Sequence, residues 1–200
     1  MSHSHEHDHE ASAAISNRVK HLIGTLERRG ILTESQVDAT IHSFLSKARP
    51  ANGFRVVARA WVDGEFKQRL LTDATSAVGE LGVDLSHWAP VRIRAVENTH
   101  ALHNVIVCTL CSCYPLSLLG PSPTWYKSEA YRSRVVRDPR SVLDEFGVRL
   151  APDKEVRVWD STSELRYFVV PERPAGTGSL SEAELGELVT TNGLIGTALV

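Results

Sequence analysis

The sequence predicts an α+β or layered αβ chain, with an N-terminal helical arm followed by a mixed α/β core domain. Three observations predict it. Apolar residues recur at helical spacing up to residue 81, apolar–polar alternation appears only beyond residue 90, and both periods mix after that. The chain has 200 residues, 42% hydrophobic and 23% charged. That supports one folded core and excludes a wholly disordered chain.

Residues 1–16 open with His3, His5, His7 and His9, set among Ser4, Glu6 and Asp8. So polar a segment reads as a disordered tail. Its imidazoles would collect divalent metal only loosely. Val19, Leu22, Ile23 and Leu26 then mark a helix over 17–29, ended by Gly30. Thr33 and Gln36 form a capping box for a second helix, with Val37, Ile41, Phe44 and Leu45 on one side. Pro50, Asn52 and Gly53 break that pattern, which sets the arm at 17–50 and the core domain at 51–200. An arm of this kind needs a surface to pack on, which points to a partner chain.

Residues 54–60 read equally as strand or helix. Phe66, Leu70, Ala74, Val78 and Leu81 predict one helix over 65–81, closed by Gly82. Val91, Ile93 and Ala95 alternate with Arg92 and Arg94, a strand. Val105 to Val107 form a buried strand running into Cys108. Pro139 opens a short helix ended by Gly147. Alternation around Val156–Val158 and Leu165–Val169 gives two strands joined by a turn at Asp160–Ser163. Ser181 and Glu184 form a second capping box.

The net charge of −2 offers nothing to nucleic acid or an anionic membrane surface. No apolar run approaches the roughly 20 residues of a membrane span, and no signal-peptide stretch is seen, so a cytoplasmic protein is expected. The three cysteines, Cys108, Cys111 and Cys113, lie within six residues, which is no disulfide framework.

A Cys-x-x-Cys step brings two thiolates onto one metal, and a third cysteine one residue further makes a compact claw, with main-chain nitrogens close by. A redox pair would leave the third cysteine unexplained. A structural zinc or iron–sulfur site would recruit a fourth ligand, yet no other cysteine exists, and His87, His100 and His103 lack ligand spacing. Spacing therefore predicts a metal site and leaves the metal open. Arg132, Arg134, Arg137 and Arg140 follow, opposed in that stretch by Asp138. They read as a solvated basic face, or Arg132 and Arg134 steady an oxidised sulfur or a carboxylate across an interface.

The segment Val107–Pro115, reading Val-Cys-Thr-Leu-Cys-Ser-Cys-Tyr-Pro, resembles the metal claw of the nitrile hydratase alpha subunit. The resemblance continues through Trp125–Ser128, Tyr131–Arg137, Val158–Ser161 and Arg173–Thr177. It implies the fold of that family and an alpha–beta heteromer that hydrates nitriles to amides on iron(III) or cobalt(III). The metal ligands implied are the sulfurs of Cys108, Cys111 and Cys113 and the main-chain nitrogens of Ser112 and Cys113. Cys111 would be a sulfinic acid and Cys113 a sulfenic acid, with Cys113, Ser112 and Cys111 as the catalytic set. Thr109 and Tyr114 look like the cobalt branch, one non-corrin cobalt(III) per chain, with iron(III) second. Tyr114 and Leu116 would line the substrate pocket, and Arg132 and Arg134 would stand behind the claw or at the interface.

The resemblance also implies partners: a beta-type subunit supplying arginines to the claw, and an activator protein for cobalt insertion. The nucleophile is either water activated by the Cys113 sulfenate or the sulfenate oxygen itself. Two departures from the family pattern stand out. Leu116-Ser117 replaces Trp-Pro after the claw, and Leu85–Pro90 lacks a Gly-Leu-Gln-Gly segment. A gamma-type subunit of a cobalt thiocyanate hydrolase is the alternative enzyme, and a metal-binding structural subunit the non-catalytic one.

Overall fold

The computed structural model describes residues 3–85 and 91–200, with side chains from residue 13 onward. The side chains of His3 to His9, His87 and most of the Leu85–Pro90 departure lie outside the described residues. The chain forms two compact units, Met1–Ser46 and Lys47–Val200.

The first unit holds α1 (His3–Arg28) and α2 (Glu34–Lys47). α1 takes in most of the 1–16 segment, where the sequence reading expects a disordered tail. Ala11, Ala13 and Ala14 are strong helix formers, and an amphipathic helix already nucleated at 17–29 extends cheaply toward its N-terminus. The helix stops where Gly30 adopts φ 68°, with Ile31 N–H donating to Leu26 O. The predicted capping box is formed: Thr33 N–H donates to Gln36 Oε1 at 2.8 Å, and Gln36 N–H to Thr33 Oγ1 at 3.2 Å. Ile15, Val19 and Leu22 make an exposed stripe on α1, and α2 has no buried residue.

In the second unit, the supposed break at Pro50–Gly53 is the start of a helix, α3 (Pro50–Val62). Pro50 occupies its first turn, where proline is tolerated. Asn52 Nδ2 donates to Lys47 O and Ser117 O, and Gly53 is needed because a Cβ there would come within 2.8 Å of Leu118 O. The single helix expected over 65–81 is two, α4 (Gly64–Thr72) and α5 (Ala74–Glu80). Asp73 separates them, because its side chain caps α5 by accepting from Ser76 N–H.

Four strands follow the predicted alternation: β1 (Arg92–Glu97), β2 (Leu102–Val107), β3 (Glu155–Asp160) and β4 (Leu165–Val170). β3 and β4 are consecutive but do not pair. β1 pairs with β4 and β2 with β3, both in parallel. Ser161 N–H donates to Val107 O at the end of one ladder, and Arg92 N–H to Glu164 O at the start of the other. The turn thus carries the chain from one ladder to the next. β2 is the most buried strand, and beneath it α10 (Thr191–Ile195) ends at Gly196, φ 91°, where a Cβ would lie 2.0 Å from Asn104 O.

Further helices follow the strands or lie between them. They are α6 (Leu116–Leu119), α7 (Glu129–Val135), α8 (Pro139–Glu145) and α9 (Glu182–Leu188), the last with its predicted Ser181/Glu184 box complete. α6 and α9 pack on α3, and α7 on α8. Among the described residues, no helix is long and apolar enough to cross a membrane.

Candidate metal centre

Cys108 follows the last residue of β2, and Val107 stands opposite Asp160 at the end of β3. The claw therefore sits at the carboxyl end of a parallel strand pair, a common place for sites in such sheets. Asp160 fixes its first turn by accepting from both the N–H and the hydroxyl of Thr109.

The three sulfurs converge. Cys108 Sγ is 3.3 Å from Cys111 Sγ, and Cys111 Sγ is 3.1 Å from Cys113 Sγ, with no disulfide. Two sulfurs each bound to one ion at about 2.3 Å lie roughly 3.3 Å apart at a right angle and roughly 3.8 Å apart at the tetrahedral angle. The Cys111 sulfur stands at about the right-angle value from each of the other two, and all three lie within 4.8 Å of one another. The Cys111 N–H points at Cys108 Sγ, 3.4 Å away, and the main chain of Ser112 and Cys113 lies near enough to Cys111 Sγ to help stabilise its thiolate. Sulfur and peptide nitrogen together make a soft, strong-field donor set. Among the described residues, no histidine or carboxylate joins the three cysteines.

The sulfurs are unequal. Hydrogen bonds from Cys113 and Cys108 stabilise the Cys111 thiolate and bring its pKa down to about 7. Burial, and then the hydrogen bond with Cys111, push the Cys113 thiol up to about 12. Cys111 and Ser112 are exposed, while Cys108 and Cys113 are buried. Leu110 at the tip is 91% exposed, an apolar side chain with nothing over it in this chain.

The loop's carbonyls are held from behind. Arg132 Nη1 of α7 donates to Cys111 O at 3.1 Å and Thr109 O at 3.4 Å. Tyr126 Oη donates to Cys113 O at 3.0 Å, and Arg166 Nη1 of β4 to Tyr114 O at 2.8 Å. Tyr131 Oη ties α7 to Ile106 O of β2. The rings of Tyr114, Trp125, Tyr126, Tyr131 and Phe146 pack edge-on or tilted, with centroids about 5 to 6 Å apart. They form an apolar wall under the claw.

Each residue singled out from the sequence has a definite place. Cys108, Cys111, Ser112 and Cys113 come together. Tyr114 is fully buried beneath the loop, with its hydroxyl unpartnered. Leu116 opens α6, half-buried against the core. Arg132 reaches the claw backbone, whereas Arg134 pairs through both terminal nitrogens with Glu145. His103 is buried on β2, its Nε2 2.7 Å from Gly196 O, and His100 is exposed. Sequence reasoning missed Asp160, Tyr126 and Arg166. Asp160 and Tyr126 stood in segments that match the family but were given no role at the claw, and Arg166 carries no signal until the fold brings it there.

A family model, "Nitrile hydratase, alpha chain", matches residues 13–198. The chain belongs to this family. It is 50% identical over 185 residues to the low-molecular-weight cobalt-containing nitrile hydratase subunit alpha of Rhodococcus rhodochrous, covering 92% of this chain and 88% of that one. It is 42% identical over 159 residues to the thiocyanate hydrolase subunit gamma of Thiobacillus thioparus, covering 75% of this chain and 65% of that one. A double mutant of the Fe-type nitrile hydratase from Comamonas testosteroni Ni1 has the same fold, with TM-score 0.87 at 40% identity, covering 94% of this chain and 90% of that one. The cysteine claw thus lies inside a match that spans almost the whole nitrile hydratase alpha-type chain.

Proposed function

We propose that this chain is the alpha subunit of a cytoplasmic cobalt nitrile hydratase, hydrating a nitrile to its amide. One observation carries the reading. In a chain of this family, three cysteine sulfurs cluster within 4.8 Å of one another, with Cys111 Sγ 3.3 Å from Cys108 Sγ and 3.1 Å from Cys113 Sγ. The residues that would hold the metal are Cys108, Cys111 and Cys113 through sulfur, and Ser112 and Cys113 through nitrogen. Cobalt is favoured by Thr109 and Tyr114 and by the cobalt-containing relative.

A trivalent ion bound there supplies Lewis-acid polarisation of the nitrile carbon. The protein supplies the rest. Cys111 and Cys113, as sulfinic and sulfenic acids, set the charge around the site. The Cys113 sulfenate oxygen faces the substrate, either taking a proton from attacking water or attacking the carbon itself. The carbon–oxygen bond forms as one carbon–nitrogen π bond opens and its nitrogen gains a proton; on the second route water then attacks that carbon and expels the sulfenate oxygen, and on both the freed imidate tautomerises to the amide. Ser112, exposed beside Cys113, hydrogen-bonds in the substrate space. Leu116 narrows that space with an aliphatic group, and Tyr114 supports it from below.

The exposed claw tip and the exposed α1 stripe call for a beta-type partner covering the site and supplying arginines to the oxidised sulfurs. An activator protein would insert the metal. The test is co-expression with partner and activator. Amide formation from nitriles, one cobalt per chain, two oxygens on Cys111 and one on Cys113 are the expected result. Carbonyl sulfide release from thiocyanate alone would favour the gamma-type reading, which the 42% identical relative keeps in play. Leu116 argues against that reading, since it offers no positive charge to a small anion. Zinc with unmodified thiols would favour a structural subunit.

A further inference from the structure

We infer, resting on the claw reading above, that Arg132 is a positioning residue: it holds the Cys111–Ser112 peptide so that the Ser112 nitrogen faces the metal. A trans peptide is planar, and its C=O and N–H point in opposite directions. Arg132 Nη1 takes Cys111 O at 3.1 Å from behind the loop. The Ser112 N–H of that same plane must then point away from the arginine, out of the front of the loop.

Arg132 is free for this task in a way its neighbour is not. α7 is capped by Ser128, which accepts from Tyr131 N–H, and Arg132 lies in its last turn, within reach of the claw's carbonyls. Two residues on, roughly 200° around the helix axis, Arg134 is neutralised by Glu145. Among the described residues, no carboxylate pairs with Arg132, and its Nε is buried without a partner. Its charge is directed at the carbonyls of Cys111 and Thr109, and charge-assisted hydrogen bonds of this kind are the strong ones.

The other clamps do not substitute for it. Tyr126 and Arg166 hold the carbonyls of Cys113 and Tyr114, both beyond the Ser112 nitrogen. The tip at Leu110–Ser112 is exposed, so without Arg132 the Cys111–Ser112 peptide has room to rotate and turn its oxygen toward the sulfurs. The arginine therefore acts on the claw through the backbone rather than through sulfur oxygen.

The experiment uses the cobalt-loaded complex, with Arg132→Gln, Arg132→Lys and the control Arg134→Gln. Cobalt retained against a chelator and the sulfur-to-metal absorption bands are measured beside activity. Loss of an outer support of this kind weakens metal binding roughly 10- to 100-fold. R132Q is expected in that range with shifted bands, R132K in between, and R134Q like the unaltered complex. R132Q with unchanged retention and unchanged bands overturns the inference while leaving the claw reading intact. Should R132Q fail to assemble, R132K decides: it offers one donor in place of a fork, so shifted bands support the role and unshifted bands overturn it. An unaltered complex that carries no cobalt overturns the proposed function, and this inference with it.

Discussion

The arm and the claw loop are both exposed, yet they are ordered in opposite ways. In α1 and α2 the backbone satisfies itself through helical hydrogen bonds and a capping box, while Ile15, Val19, Leu22, Ile41 and Leu45 remain in solvent. The claw loop from Thr109 to Pro115 has no regular structure. It is held instead by Asp160, Arg132, Tyr126 and Arg166, each from a distant part of the chain. Order of the arm's kind is set by neighbouring residues in the sequence. Tertiary anchoring without local order is what a ligand cage requires, because donor atoms must stay within a few tenths of an ångström.

The largest effect should come from the claw itself. Cys113→Ala removes one sulfur and is expected to lower cobalt content and nitrile hydration at least about 100-fold, read by metal analysis and amide assay. Near-normal activity would break the claw half of the comparison. Asp160→Ala is next. It strips Thr109 of two hydrogen bonds, so stability should fall by about 1–3 kcal/mol, with cobalt content reduced; denaturant midpoints read the first and metal analysis the second. An unchanged midpoint would mean that the loop is held elsewhere.

The third test addresses the strand beneath the claw. His103 is kept neutral, its pKa lowered mainly by burial and opposed by its bond to Gly196 O. The unfolded chain then takes up a proton that the folded chain resists. Its stabilising contribution is full above the ordinary value of 6.5 and is lost as the pH falls through the lowered folded value. Thermal midpoints of wild type should therefore drop below pH 6.5 more steeply than those of His103→Gln, whereas parallel curves would count against a buried neutral imidazole. The smallest effect on the isolated chain is expected from Leu22→Asp on the arm, within about 0.5 kcal/mol. The same change should weaken association with the partner subunit in a pull-down. Unfolding of the isolated chain by this change would instead assign Leu22 a role in its stability.

The legibility of each region follows the same division. Both capping boxes, the helical stripes and the strand alternation were readable because they are patterns over three or four neighbouring residues. The cysteine cluster was readable for the same reason, since its three sulfurs fall within six residues. Asp73 was not read as a helix break, because its cap competes with an apolar stripe that runs straight past it. Pro50, Asn52 and Gly53 were read as a break, because their roles depend on Lys47, Ser117 and Leu118.

By itself, the sequence determined the strands, both capping boxes, the cysteine cluster and, through its resemblance, the family. Those rest on short-range spacing, which the chain carries wherever it folds. Only the tertiary structure decided that β3 and β4 part company to pair with β2 and β1, that Arg134 is engaged by Glu145, and that Arg132 holds the claw's backbone. Each of these depends on which distant groups compete for the same hydrogen bonds, and that competition is settled when the core packs.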